Sequence, residues 1–213
     1  MRKKIIIWLL IIDLLLVGLH LLWGDQIYIF NLDYELTIPA YYSGLKLVTI
    51  GGLMFLIFKL ASKRRDKILY FFLSAFFTIL AFDEISELHE NLGEYFLSLF
   101  SNFNIFAQAS FMWVIYLSPI IIGVIALLSY YIYSLRKNRA FSFALVGLIA
   151  FILVIVLEFI GGKIIHLYPQ LYYWEIVLEE LLEMFGASFF LLATLNVFKE
   201  KFGLKYRPIE ETK

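Results

Sequence analysis

Apolar runs long enough to cross a bilayer recur along this chain and constrain its fold more than any other feature. A transmembrane α-helix needs about 20 consecutive, mainly apolar residues, and a helix satisfies all its backbone polar groups internally. The sequence therefore predicts an all-α integral membrane bundle of six transmembrane helices, with residues 1–213 as a single domain. The runs lie near 4–24, 39–61, 68–90, 109–135, 140–162 and 173–198.

The composition supports this class of protein, because 62% of the residues are hydrophobic, against about 45–50% in a soluble domain. The 18 basic and 18 acidic residues cancel, and the sequence shows no basic face of the kind that nucleic acid requires. Cysteine is absent, which excludes disulfides, thiolate metal sites and cysteine nucleophiles. We expect membrane lipids and no nucleic acid as partners, and the sequence leaves the oligomeric state open.

Basic residues gather in every second connection between the predicted spans. Connections enriched in lysine and arginine face the cytoplasm by the positive-inside rule. This distribution predicts a multi-pass protein of the cell membrane with cytoplasmic N- and C-termini. The basic connections are residues 2–4, 63–67, 136–139 and the tail that carries Lys199, Lys201, Lys205, Arg207 and Lys213.

With this orientation, the acidic residues of spans three, five and six fall at one depth, at about 1.5 Å of rise per residue. Lys46 of span two lies at a similar depth. Ionisable groups within membrane spans are costly and by default mark a functional site. We expect a site near the outer leaflet with Lys46 as its counter-charge. The candidate metal ligands are Asp83, Glu84, His89, Glu90, Glu158, Glu179, Glu180 and Glu183.

Helical phase, at about 100° per residue, groups these acids on two faces. One face holds Asp83, Glu87, Glu90 and Glu94, and the other holds Glu175, Glu179 and Glu183 with Glu180 beside them. Several of these acids also fit a purely solvated position in the headgroup region.

The other ionisable residues within the spans have simpler interpretations. His20 and His166 are expected to be structural. Asp13, in the middle of span one, fits an interhelical hydrogen bond and a position on a proton path equally well.

So many carboxylates at close range cannot all ionise, and they must be protonated, hydrated or bound to cations. Hard oxygen ligands suit calcium, magnesium, manganese or iron, and with one or two histidines added the set approaches the carboxylate-bridged di-metal type. Helical di-iron proteins use Glu-x-x-His motifs, and no such motif occurs here. The sequence predicts a carboxylate-dominated site for a divalent metal (Fe, Mn, Zn, Ca or Mg) of open identity.

The pattern of acidic pairs resembles a group of uncharacterised bacterial multi-pass membrane proteins. The resemblance covers spans three to six, about half of the chain, and implies that these residues form one site without implying an activity. The residues that carry it are Asp83-Glu84, His89-Glu90, Glu158, Glu179-Glu180, Glu183-Met184 and Gly186.

Three functions remain open at this point, and the sequence does not decide whether the protein is an enzyme. The first is a metal-dependent membrane protein, including an enzyme that acts on a lipid or a small molecule with metal-activated water. The second is a cation or proton transporter that uses the same acids. An inverted repeat would place the acids of span six at its inner end, which disfavours this alternative. The third is a structural membrane subunit whose acids only hydrate a vestibule.

Overall fold

In a computed structural model, the described residues are 2–34, 36–86, 88–99, 112–164 and 168–202. They form helices joined by turns, and no strand occurs within these ranges, which confirms an all-α fold for this part of the chain. The helices are α1 (Arg2–Trp23), α2 (Ile38–Leu60), α3 (Arg64–Ser86), α4 (Leu88–Leu99), α5 (Met112–Tyr116), α6 (Ser118–Ser134), α7 (Ala140–Ile164) and α8 (Pro169–Lys201), with a 3-10 turn at Tyr28–Phe30.

Five helices, α1, α2, α3, α7 and α8, are long and apolar enough to cross a membrane. They confirm five of the six predicted spans as apolar helices of membrane length. The span predicted at 109–135 instead holds α5 and the shorter apolar helix α6, and its first residues lie outside the described ranges. Pro119 stands in the first turn of α6, where a proline without an N–H is tolerated.

The span predicted at 68–90 overlaps α3, which is described to Ser86, and the start of α4, which is described from Leu88. The backbone N–H of His89 donates to Asp83 Oδ1 at 2.8 Å. A side-chain acceptor of this kind is typical of the first turn of a helix. Asp83 therefore lies on α3 and His89 on α4, while Glu87 and the side chain of Glu90 lie outside the described residues.

Two closely packed helix pairs, α2 with α3 and α7 with α8, form the main body, and α8 also contacts α1 and α2. Glycines permit this approach. A Cβ added at Gly51 would lie 2.5 Å from Thr78 Oγ1, and one added at Gly147 would lie 3.1 Å from the carbonyl oxygen of Gly186. Small residues let transmembrane helices pack with their backbones close together.

Polar and apolar side chains are distributed as expected for a protein in lipid. Trp8, Leu22 and Phe82 are more than 60% exposed, whereas Asp13 and Lys46 are buried. Charged groups in a membrane protein face the bundle interior because lipid cannot solvate them. The exposed apolar side chains are of the kind expected on the lipid-facing surface of a membrane bundle.

The basic connections meet at one end of the bundle. Lys201 Nζ lies 3.5 Å from Asp66 Oδ2, and the Arg65 guanidinium lies 4.9 Å from the centre of the Tyr130 ring. These contacts bring together the start of α3 and the ends of α6 and α8. We call this the basic end, with residues 63–67, 136–139 and 199–201.

Candidate functional site

Three glutamates converge inside the bundle. One carboxylate oxygen each of Glu84, Glu180 and Glu183 lies within 4.8 Å of the other two, and all three side chains are partly buried. We call these residues the glutamate triad. Within the described residues, three or more acidic or histidine side chains are spaced like metal ligands in this one group.

Helix geometry explains this convergence. Phe77 of α3 and Phe190 of α8 are in ring contact, with centroids 5.1 Å apart. Glu84 follows Phe77 by seven residues and Glu183 precedes Phe190 by seven, and seven residues make about two helical turns. The two glutamates therefore lie on the same faces as the two rings, toward the end of the bundle opposite the basic end. Glu180 precedes Glu183 by three residues, which makes the two neighbours on the surface of α8.

The carboxyl groups of Glu84 and Glu183 lie close enough to interact with each other. An ionised carboxylate only accepts hydrogen bonds, so two of them remain in contact only when they share a proton or a cation. The Ser43 hydroxyl of α2 is 1% exposed and close enough to interact with Glu84. No hydrogen bond of normal geometry within the described residues satisfies this hydroxyl.

Further acids extend from the triad along α8. Glu179 interacts with Glu158 of α7 and with Glu175. Glu158 Oε1 also accepts a hydrogen bond from Trp113 Nε1 at 3.0 Å. Glu175 is 7% exposed, and a Cβ at Gly161 would lie 2.6 Å from its Oε1. The acidic face predicted on α8 is thus approached by one acid of α7, Glu158, and Gly161 leaves room for the Glu175 carboxylate.

On the other side of the triad lies a buried ion pair. Lys46 Nζ donates to Asp13 Oδ1 at 3.0 Å, to the carbonyl oxygen of Met184 at 2.9 Å and to Ser188 Oγ at 3.2 Å. Ser188 Oγ in turn donates to Asp13 Oδ2 at 2.8 Å. Of the two interpretations of Asp13, the structure shows the interhelical hydrogen bond. Lys46 is close enough to Glu84 for charge interaction, but Asp13 is its ion-pair partner.

Two of the remaining predicted ligands, Asp83 and His89, pair with each other. His89 Nδ1 is 3.0 Å from Asp83 Oδ2, and the His89 ring packs against Trp113 with centroids 4.8 Å apart. Asp83 and His89 therefore form a pair that joins α3 to α4. Glu158 and Glu179 lie beside the triad as described above, and the side chain of Glu90 and the whole of His166 lie outside the described residues.

Sequence reasoning missed three polar side chains that the structure places at these acids: Ser43, Ser188 and Trp113. Ser43 precedes Lys46 by three residues, so both face the same side of α2. Ser188 is a small polar residue in an apolar run, a type that often forms hydrogen bonds between transmembrane helices. Trp113 follows a segment without acids and gave no signal in the sequence.

The fold and the site define a helical protein with membrane-length helices and an acidic cluster inside the bundle. Residues 8–197 match the family described as Domain of unknown function (DUF8692), and the chain belongs to this family. No curated protein and no solved structure matches the chain. The function is therefore argued from the geometry of the site.

Proposed function

We propose that the protein is a six-span integral membrane protein, with both termini cytoplasmic, that binds a divalent cation at the glutamate triad near the outer leaflet. The observation that carries this proposal is the approach of oxygens from Glu84, Glu180 and Glu183 to within 4.8 Å of one another. Small side-chain movements would bring these oxygens to the usual distances of about 2.0–2.6 Å from one ion.

Charge supports a cation as the ligand. The neighbouring ammonium of Lys46 uses its hydrogen bonds on Asp13, Met184 and Ser188, which leaves none for the triad. Carboxylates held this close together repel one another when they are ionised, and a buried hydroxyl such as that of Ser43 is costly without a hydrogen bond. A divalent cation would compensate the triad and give the Ser43 oxygen a partner.

Ligand chemistry favours calcium, magnesium or manganese over zinc and iron. The triad offers carboxylate oxygens, which these hard cations prefer, whereas zinc sites usually include nitrogen or sulfur ligands. His89, the histidine predicted as a ligand, is instead paired with Asp83.

A cation at the triad would support chemistry on a lipid or a small molecule. Three carboxylates and one hydroxyl leave coordination positions for water, and a bound metal lowers the pKa of such a water. Glu179 and Glu158 interact with each other beside the triad and would accept the proton that this water loses.

Proton or cation transport is the second candidate, and the continuity of the ionisable groups favours it. They run from Glu175 and Glu179 through the triad to Lys46 and Asp13. Chains of acidic residues inside transmembrane bundles serve as proton relays. Reconstitution in vesicles with an internal pH dye tests this function, because a transporter would dissipate an imposed pH gradient and Glu183→Gln would not.

Cation binding is tested by titrating the purified full chain with Mn²⁺ and measuring the free Mn²⁺ by electron paramagnetic resonance. Glu180→Gln and Glu183→Gln should each weaken binding by at least about tenfold, since even outer-shell changes cost 10–100-fold. Glu94→Gln is the matched control, because Glu94 is exposed on α4. Equal losses in all three variants, or no binding by the unaltered protein, would overturn the proposal.

A further inference from the structure

A groove of about 570 Å³ opens between α3 and α6 at the basic end, remote from the glutamate triad. Arg64 and Arg65 line one part of it, and apolar side chains line the rest, among them Ile68, Phe72 and Leu127. The groove therefore has a cationic region at the start of α3 and, next to it, an apolar wall formed by side chains of α3 and α6.

Within the described residues, no carboxylate neutralises the cationic part of the groove. None of the described carboxylates lies within ion-pair distance of Arg64 or Arg65, and the nearby Asp66 is paired with Lys201 at 3.5 Å. The Arg65 guanidinium is held over the Tyr130 ring at 4.9 Å. Both arginines also lie in the first turn of α3, where the helix dipole adds positive potential.

The apolar part extends along the same helix face. Arg64, Ile68 and Phe72 are spaced by four residues and so lie one above another on α3. Ile68 is 50% and Phe72 is 53% exposed, and Leu127 of α6 lines the opposite wall. At about 1.5 Å per residue, this face extends roughly 12 Å from the arginines into the apolar zone.

We propose that this groove is a binding site for an anionic phospholipid, with the phosphate on Arg64 and Arg65 and an acyl chain along Ile68, Phe72 and Leu127. The guanidinium fork matches phosphate oxygens in a bidentate arrangement. Basic pockets between transmembrane helices at the positively charged side of a protein are typical sites for anionic lipid headgroups. A zwitterionic lipid would carry an ammonium toward the arginines and bind less well.

Native mass spectrometry of the delipidated full chain in detergent tests this proposal, with phosphatidylglycerol and phosphatidylcholine as the probes. We expect tighter binding of phosphatidylglycerol, by about tenfold or more, and loss of this preference in Arg64→Gln/Arg65→Gln. Arg136→Gln/Lys137→Gln is the matched control, because it removes two charges from the same end outside the groove and should keep the preference. Arg64→Lys/Arg65→Lys, which keeps the charge, should bind with intermediate affinity.

Two further comparisons separate the lipid from other occupants. Phe72→Ala should weaken phosphatidylglycerol binding, because it removes part of the acyl-chain wall, and inorganic phosphate in excess should not displace the lipid. Equal binding of the two lipids, an equal loss in the control variant, or full displacement by inorganic phosphate would each overturn the proposal.

Discussion

Lys46 of α2 and Asp13 of α1 form an ion pair inside the bundle, with Nζ 3.0 Å from Oδ1 and side chains only 4% and 0% exposed. Ser188 of α8 bonds to both, so the pair joins three helices. Charges at this depth are tolerated only with a partner. The position of Lys46 beside the glutamate triad is therefore fixed by Asp13.

Removal of one partner should be far more damaging than removal of both. We expect Asp13→Asn or Lys46→Met to lower the free energy of unfolding by about 3–5 kcal/mol, because each leaves one buried charge without a partner. The double variant Asp13→Leu/Lys46→Met should recover most of this loss. Thermal unfolding in detergent measures it, and a double variant as unstable as the sum of the two single variants would contradict the ion pair.

Neighbouring glycines on α2 provide a matched test of the α2–α3 packing that positions Lys46 and Glu84. A Cβ at Gly51 would lie 2.5 Å from Thr78 Oγ1, whereas a Cβ at Gly52 would contact nothing within 4 Å. Gly51→Ala should destabilise by about 1–3 kcal/mol through overpacking. Gly52→Ala should be neutral or stabilising by up to about 1 kcal/mol, because alanine is the better helix former. Equal melting temperatures for the two variants would contradict this packing.

Asp83 is expected to stabilise α4 and to have no direct role in cation binding. Its Oδ1 accepts the backbone N–H of His89 at 2.8 Å, and loss of such a cap costs about 1 kcal/mol. Asp83→Ala should therefore speed amide hydrogen exchange across residues 88–99 by about fivefold and leave Mn²⁺ affinity unchanged. A loss of affinity as large as that of Glu183→Gln would show that Asp83 is a ligand.

Ser43 is expected to contribute an oxygen to the bound cation. Its hydroxyl is buried beside Glu84, and no described residue forms a hydrogen bond of normal geometry with it. Ser43→Ala should lower cation affinity by about tenfold, the scale of changes close to a metal ion, with little change in stability. Ser86→Ala, at an exposed serine of α3, is the control and should bind normally. Unchanged affinity in Ser43→Ala would exclude Ser43 as a ligand.

Much of the helical framework could be predicted because each membrane span must satisfy its own backbone. Hydrophobic run length located α1, α2, α3, α7 and α8. It did not show that the Asp83 side chain of α3 accepts a hydrogen bond from the backbone of His89 in α4. The length of an apolar run carries no information about which side chain accepts a backbone N–H.

The candidate ligands were predicted as a layer of acids at one depth. Three of them, Glu84, Glu180 and Glu183, have carboxylate oxygens within 4.8 Å of one another. The choice among the predicted acids depends on how each helix is rotated about its axis, which follows from contacts such as Phe77 with Phe190. For the same reason the sequence could not show that Asp13 is the partner of Lys46, or that Asp83 is the partner of His89.

Elemental analysis of the detergent-purified full chain tests the central claim most directly. The protein would be loaded with Ca²⁺, Mg²⁺ or Mn²⁺, dialysed, and measured beside Glu84→Gln/Glu180→Gln/Glu183→Gln and the control Glu94→Gln. We predict a stoichiometric divalent cation in the unaltered protein and in the control, and its loss in the triple variant. No retained cation in the unaltered protein, or the same content in the triple variant, would contradict a cation site at the glutamate triad.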